Sequence, residues 1–217
     1  LVEQSSVLSV NIARHYSDGP TARTGIDKRP TAESVMVTAP GAGHGSGLAG
    51  DLIGDRKHHG GDDQAVYAYA REDLEDWAAR LGRPLSNGMF GENLTTLGLD
   101  VTNSVIGERW RVGSAGLVLE VTRSRTPCRT FTEFLGIPGW VKTFTAAAVP
   151  GAYLRVITPG PMRRGDPVSI VDRPDHGVTV RDVFRAMTTE PHRLSDILAA
   201  DALADEVKEL ARRRLAG

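Results

Sequence analysis

Cys128 is the sole cysteine of the chain, and it stands in Arg123-Ser124-Arg125-Thr126-Pro127-Cys128-Arg129. Three guanidinium groups around one thiol favour the thiolate, the form that attacks electrophiles and binds metals. A second stretch, His58-His59-Gly60-Gly61-Asp62-Asp63-Gln64, pairs glycines whose backbone N–H groups could approach an anion with a histidine, His59, able to donate to a phosphate or carbonyl oxygen. Taken alone it fits a hairpin turn better than an anion cradle. Adjacent side chains on extended backbone point apart, which argues against His58 and His59 sharing a metal. A third stretch, Gly88-Met89-Phe90-Gly91-Glu92-Asn93-Leu94-Thr95-Thr96, frames Phe90 with glycines and sets an acid and an amide at a strand start. Asn93 could read donors and acceptors of a heterocycle, or simply cap a turn.

The elements that must carry these residues are mostly strands. Alternating or apolar runs predict strands at 7–12, 34–38, 51–56, 65–69, 92–95, 109–112, 117–122, 152–158 and 167–171. The strand over 117–122 delivers Cys128 just beyond a strand end, where rigid backbone passes into a loop. Leu74, Trp77, Ala78 and Leu81 form one stripe of a helix over 71–81, with acids early and Gly82 and Pro84 beyond it. The glycine-rich stretch 39–47 is expected to be mobile. Twenty-four glycines and twelve prolines suit short strands and turns. The fold class expected is mainly β with α, an antiparallel sheet curled into a barrel.

The pattern changes near Asp172-Arg173-Pro174. Beyond it, Thr179, Pro191 and Asp201 each open an amphipathic stretch, predicting three short helices that pack on the barrel or on another subunit. The expected division is therefore a β-barrel domain over 1–172 and a three-helix subdomain over 173–217. Three arginines, 212–214, suit the C-terminal end of the last helix.

A formal net charge of -1 with 24% charged residues gives no sign of a general nucleic-acid binder. No apolar stretch nears the roughly 20 residues that span a bilayer. The first residues lack a secretory pattern, and one cysteine forms no internal disulfide, so a cytoplasmic location is expected.

In order and spacing, Thr24-Gly25-Ile26-Asp27-Lys28-Arg29-Pro30, His59-Gly60-Gly61 with Ala65-Val66-Tyr67, Phe90-Gly91-Glu92-Asn93-Leu94-Thr95, Ile106-Gly107-Glu108, Arg125-Thr126-Pro127-Cys128 and Tyr153-Leu154-Arg155-Val156 resemble the MOSC family, named for the C-terminal domain of molybdenum cofactor sulfurase. The likeness is to its YiiM-like branch, which carries an extra C-terminal helical unit. The resemblance implies a β-rich barrel that holds the molybdenum cofactor, a molybdopterin. It implies Cys128 as the metal ligand and catalytic residue, and Lys28, His59, Gly60, Gly61, Asn93, Thr95, Arg125 and Thr126 as the cofactor-binding set. Arg123 and Arg155 stand behind these. It further implies reduction of N-hydroxylated compounds, such as hydroxylamino purines, with electrons from a flavin or iron–sulfur partner protein, since one cysteine cannot hold a cluster. Gln64 departs from the Lys or Arg expected at its place. Two other readings of the same residues stand beside the enzyme. One is a sulfur carrier or cofactor-delivery protein with a Cys128 persulfide. The other is a metal-free module whose basic pocket holds another phosphorylated ligand.

Overall fold

The computed structural model describes residues 5–20, 23–41, 45–54 and 60–217. Twelve strands are present among them: β1 (Ser6–Ile12), β2 (Ser17–Asp18), β3 (Arg23–Thr24), β4 (Arg29–Thr31), β5 (Val35–Val37), β6 (Val66–Ala70), β7 (Leu94–Leu97), β8 (Arg109–Val112), β9 (Leu117–Ser124), β10 (Ala152–Thr158), β11 (Gly160–Met162) and β12 (Val168–Asp172). Eight of them form one sheet in the order β12-β8-β9-β10-β6-β7-β1-β4. Its pairs are antiparallel except β6 with β7. That parallel pair is bridged by helix α1 (Arg71–Leu81), which covers the crossover, as a parallel connection requires.

The expected barrel is not closed by a continuous ladder. The sheet curls until the start of β1 meets the approach to β12, where Ser6 bridges Pro167 and the Val168 N–H donates to Ser5 O at 2.8 Å. The Val7 N–H also donates to Asp166 O and the Gly165 N–H to Val7 O, each at 2.8 Å, but the contact remains one isolated bridge rather than a ladder.

Helix α1 falls on the predicted span and stops at Gly82, whose φ of 64° suits a residue without Cβ. The predicted strand over 92–95 begins later, at Leu94, and Glu92 and Asn93 belong to the preceding turn. Residues 51–54 are not a strand, and 55–56 lie outside the described residues, as do 42–44 of the stretch expected to be mobile. Two helices were not foreseen: α2 (Arg129–Leu135) and α3 (Trp140–Ala147). Each buries an i, i+4 aromatic or leucine pair, Phe131 with Leu135 and Trp140 with Phe144.

In the tail, α4 (Val180–Thr188) begins with the expected Thr179 cap. The Thr179 hydroxyl accepts from the Asp182 N–H at 3.1 Å and the Asp182 carboxylate accepts from the Thr179 N–H at 3.0 Å. The expected middle helix is instead two 3-10 turns, Pro191–Arg193 and Asp196–Ala199. The last helix, α5 (Asp205–Ala216), starts after Ala204 rather than Asp201, because the Ala204 N–H donates to Thr122 O of β9 and holds that residue extended. Val183, Ile197, Leu203 and Val207 join Leu119 and Val121 of β9 in one apolar cluster. A second cluster is aromatic, centred on Phe90, Phe131, Trp140 and Phe144. No helix among the described residues is long and apolar enough to cross a membrane.

Asp73 in the first turn of α1 accepts from the Thr102 hydroxyl at 3.2 Å, and burial pushes its carboxyl up from 3.8 to about 6. The native state keeps this proton over a pH range in which the unfolded chain has lost it, so stability falls as pH rises from about 4 to 6. Asp73→Asn is expected to raise unfolding free energy by about 1–2 kcal/mol at pH 7.5 and to change little at pH 3.5, after discounting for partial exposure. Urea titrations at the two pH values check this; equal effects at both would remove the argument.

Candidate functional site: a cation-lined cleft around one thiol

Where β9 ends, the chain turns through Arg125, Thr126 and Pro127 and enters α2 at Cys128, which is extended (φ −129°, ψ 172°). Cys128 is partly buried and opens into a cleft of about 460 Å³. The opposite wall is made by the segment around Gly25 and by residues 52–54. These two stretches touch backbone to backbone: a Cβ on Gly25 would lie 1.9 Å from Leu52 O, and one on Gly54 would lie 1.9 Å from Arg23 O. Only glycine permits so close an approach. Tyr67 of β6, Tyr153 of β10 and Gly91 contribute further lining.

Among the described residues, five basic side chains border the cleft, Arg23, Lys28, Arg123, Arg125 and Arg129, against one acid, Glu206. Such a balance focuses a positive field on a concave surface and selects an anionic ligand. The cations are not equally available. The Lys28 ammonium is bound by both Asp51 carboxylate oxygens at 2.6 Å, and Asp51 also accepts from Asn93 Nδ2 at 2.9 Å and the Ala13 N–H at 2.8 Å. Burial holds the Lys28 ammonium below its ordinary range although Asp51 pulls it up. Arg125 is buried, lies flat 3.9 Å from the Phe131 ring centroid and 5.1 Å from that of Tyr67, and donates to Phe90 O. Burial opposes its charge, but Tyr67, Tyr153 and Cys128 outweigh burial and hold the guanidinium above its ordinary range. Arg125 is thus electrostatically coupled to the thiol. Burial pushes the Tyr153 hydroxyl up, with Arg125 and Arg123 acting against it.

The structure brings together Cys128, Lys28, Gly60, Asn93, Arg125 and Thr126 around this cleft. His59 lies outside the described residues. Gly60 and Gly61 both have positive φ, 84° and 88°, as the paired glycines suggest, but the Gly61 N–H already donates to Gly45 O at 3.2 Å. Asn93 borders the cleft with its amide engaged: Oδ1 accepts from the Tyr67 N–H at 3.2 Å, and Nδ2 serves Asp51 and Asn11 O. Thr95 does not reach the cleft. It is fully buried, donates to Glu92 at 3.0 Å and accepts from Asn11 Nδ2 at 2.9 Å, so its part is to build the turn. Arg155 binds Asp63, Glu120 and the Ala202 carbonyl away from the cleft.

Sequence reasoning missed Asp51, Tyr153 and Glu206. Tyr153 follows a predicted strand's first residue and could have been assigned by alternation. Asp51 and Glu206 carry no local signal.

A curled sheet whose strand β9 leads, through one short turn, to a single thiol in a cleft bordered by basic side chains has the form of a small-molecule-binding domain. The MOSC domain profile matches residues 55–169, and the chain belongs to that family, which is associated with the molybdenum cofactor. YflK from Bacillus subtilis is 35% identical over 182 residues, 82% of this chain and 79% of that protein. A Gibberella moniliformis protein named as a reductase is 25% identical over 99% of this chain, which spans 42% of its length. The crystal structure of YiiM from Geobacillus stearothermophilus superposes with a TM-score of 0.79 at 25% identity, over 97% of this chain and 99% of that one.

Proposed function

We propose that the cleft binds the molybdenum cofactor, with Cys128 as a ligand of its metal, and that the protein is an oxidoreductase reducing N-hydroxylated compounds to amines. The observation that carries this reading is the Cys128 thiol opening into a 460 Å³ cleft among basic side chains. The volume lies in the range of cofactor sites. Among the described residues no cluster of three or more His, Cys, Asp or Glu could cage a metal. A single soft sulfur therefore suits a metal that arrives already carried by sulfur ligands. When bound, the cofactor supplies two-electron redox chemistry. The chain's own residues hold and orient. Arg23 and Arg129 on the exposed rim can take the phosphate. Arg125 places fixed positive charge beside Cys128, and the Tyr153 hydroxyl, kept protonated by burial, is a donor at the same wall. The relative named as a reductase supports the redox reading. Electrons are proposed to come from a separate flavin or iron–sulfur protein, the site of action is proposed to be the cytoplasm, and a homodimer is the proposed assembly.

The test is molybdenum analysis of protein made in a cofactor-competent host, together with reduction of an N-hydroxylated purine by an artificial reductant. Wild type should carry the metal, and Cys128→Ser should lose roughly tenfold or more of both metal and turnover. Full metal and turnover in the variant would overturn the proposal. An added sulfur on Cys128 by mass spectrometry, with no turnover, would point to the sulfur carrier instead.

A further inference from the structure

Beside the cleft, across Arg123 and Thr126, lies a second chamber of about 140 Å³. Its walls are Val183, Phe184 and Met187 of α4 and Val207 and Leu210 of α5. Arg123, Thr126 and Glu206 border both spaces. It is a partly open pocket between two helices and a strand end, mainly apolar within, with Ser124, Thr188 and Arg214 at its edge. An engineered cavity of about 150 Å³ with similar walls takes one benzene ring.

Arg123 supplies the second observation. Its Nη1 donates to Glu206 at 3.1 Å, but its buried Nε has no hydrogen-bond partner. An uncompensated buried donor is uncommon in a folded protein. The strand pairing of Arg123 with Tyr153 fixes its backbone, and its guanidinium borders the chamber beside Glu206.

We propose that this chamber is a second ligand site for a monocyclic aromatic carboxylate, the ring seated among Val183, Phe184, Met187, Val207 and Leu210 and the carboxylate on Arg123. Such a ligand competes with Glu206 for the guanidinium. Because Arg123 also borders the larger cleft, the two sites are thermodynamically linked.

The experiment is a titration of ¹⁵N-labelled, cofactor-free protein with benzoate, and in parallel with benzyl alcohol, followed by two-dimensional NMR. It needs no molybdenum, so its outcome is separate from that of the proposed function. Benzoate should shift the amides of Val183, Met187 and Val207. Met187→Trp and Leu210→Trp fill the chamber from two half-buried walls, and each should weaken benzoate by roughly tenfold. Arg123→Gln should weaken benzoate by roughly fivefold or more and benzyl alcohol by less than about twofold. Shifts confined to the larger cleft, or scattered over the surface, would overturn the proposal whether or not the filled variants fold. So would wild-type benzoate affinity in a folded filled variant, and tighter binding of the alcohol would overturn the carboxylate assignment.

Discussion

Asp51→Ala is expected to cost about 3–5 kcal/mol of folding free energy, the toll of leaving a buried charge without its partner. Neither side chain has an alternative in water: Asp51 is fully buried and Lys28 is 8% exposed. The one carboxylate answers two Lys28 contacts, the Asn93 amide and the Ala13 N–H. Without it, burial and Arg125 act against the ammonium, with only Glu92 on the other side. The Asn93 amide would lose a partner in the same step, and with it a support for the cleft floor. Urea unfolding at pH 7 measures the loss. The double variant Lys28→Met with Asp51→Ala should recover much of it, since the pair's value lies in mutual compensation. A single-variant loss below about 1 kcal/mol would show that water reaches Lys28 freely.

Phe90→Ala is expected to cost about as much, 3–5 kcal/mol. Its ring is fully buried, with centroids of Tyr69 and Phe131 at 5.1 Å and Trp140 at 5.6 Å, all three edge-to-face. The same residue's carbonyl accepts from Arg125, and its N–H donates to Glu92 at 3.0 Å. The side chain thus anchors the turn that fixes the guanidinium beside Cys128. Phe90→Leu keeps apolar volume and should cost less by calorimetric melting, while both variants should weaken anion binding to the cleft. Equal melting of Phe90→Ala and wild type would exclude the ring from this anchoring part.

The sheet was largely legible because alternation survives in β8 and at the start of β10, while β1 and β9 are apolar runs largely buried on both faces. Helix α1 was legible from its stripe and its glycine stop. Helices α2 and α3 were not, since they run only seven and eight residues, one ending before Gly136 and the other starting after Gly139, too short a span to show a period. The middle tail helix was misread for a physical reason. Pro191, Leu194 and Ile197 recur every three residues, which is the period of the 3-10 helix that forms. At the site, Cys128 and its arginines were legible as chemistry, but not the division of labour among the cations. Lys28 meets Asp51 across 23 residues of sequence, and Arg125 turns inward onto Phe131. Such pairings exist only after the chain has folded, and Thr95 was assigned to the ligand because its burial beneath the turn leaves no mark in composition.

Glu206 of α5 borders the cleft that Cys128 opens into, although the two are separated by much of the tail. During synthesis the thiol and its arginines leave the ribosome well before that helix does. The Glu206 side of the cleft is therefore completed only once α5 has been made and has packed against β9.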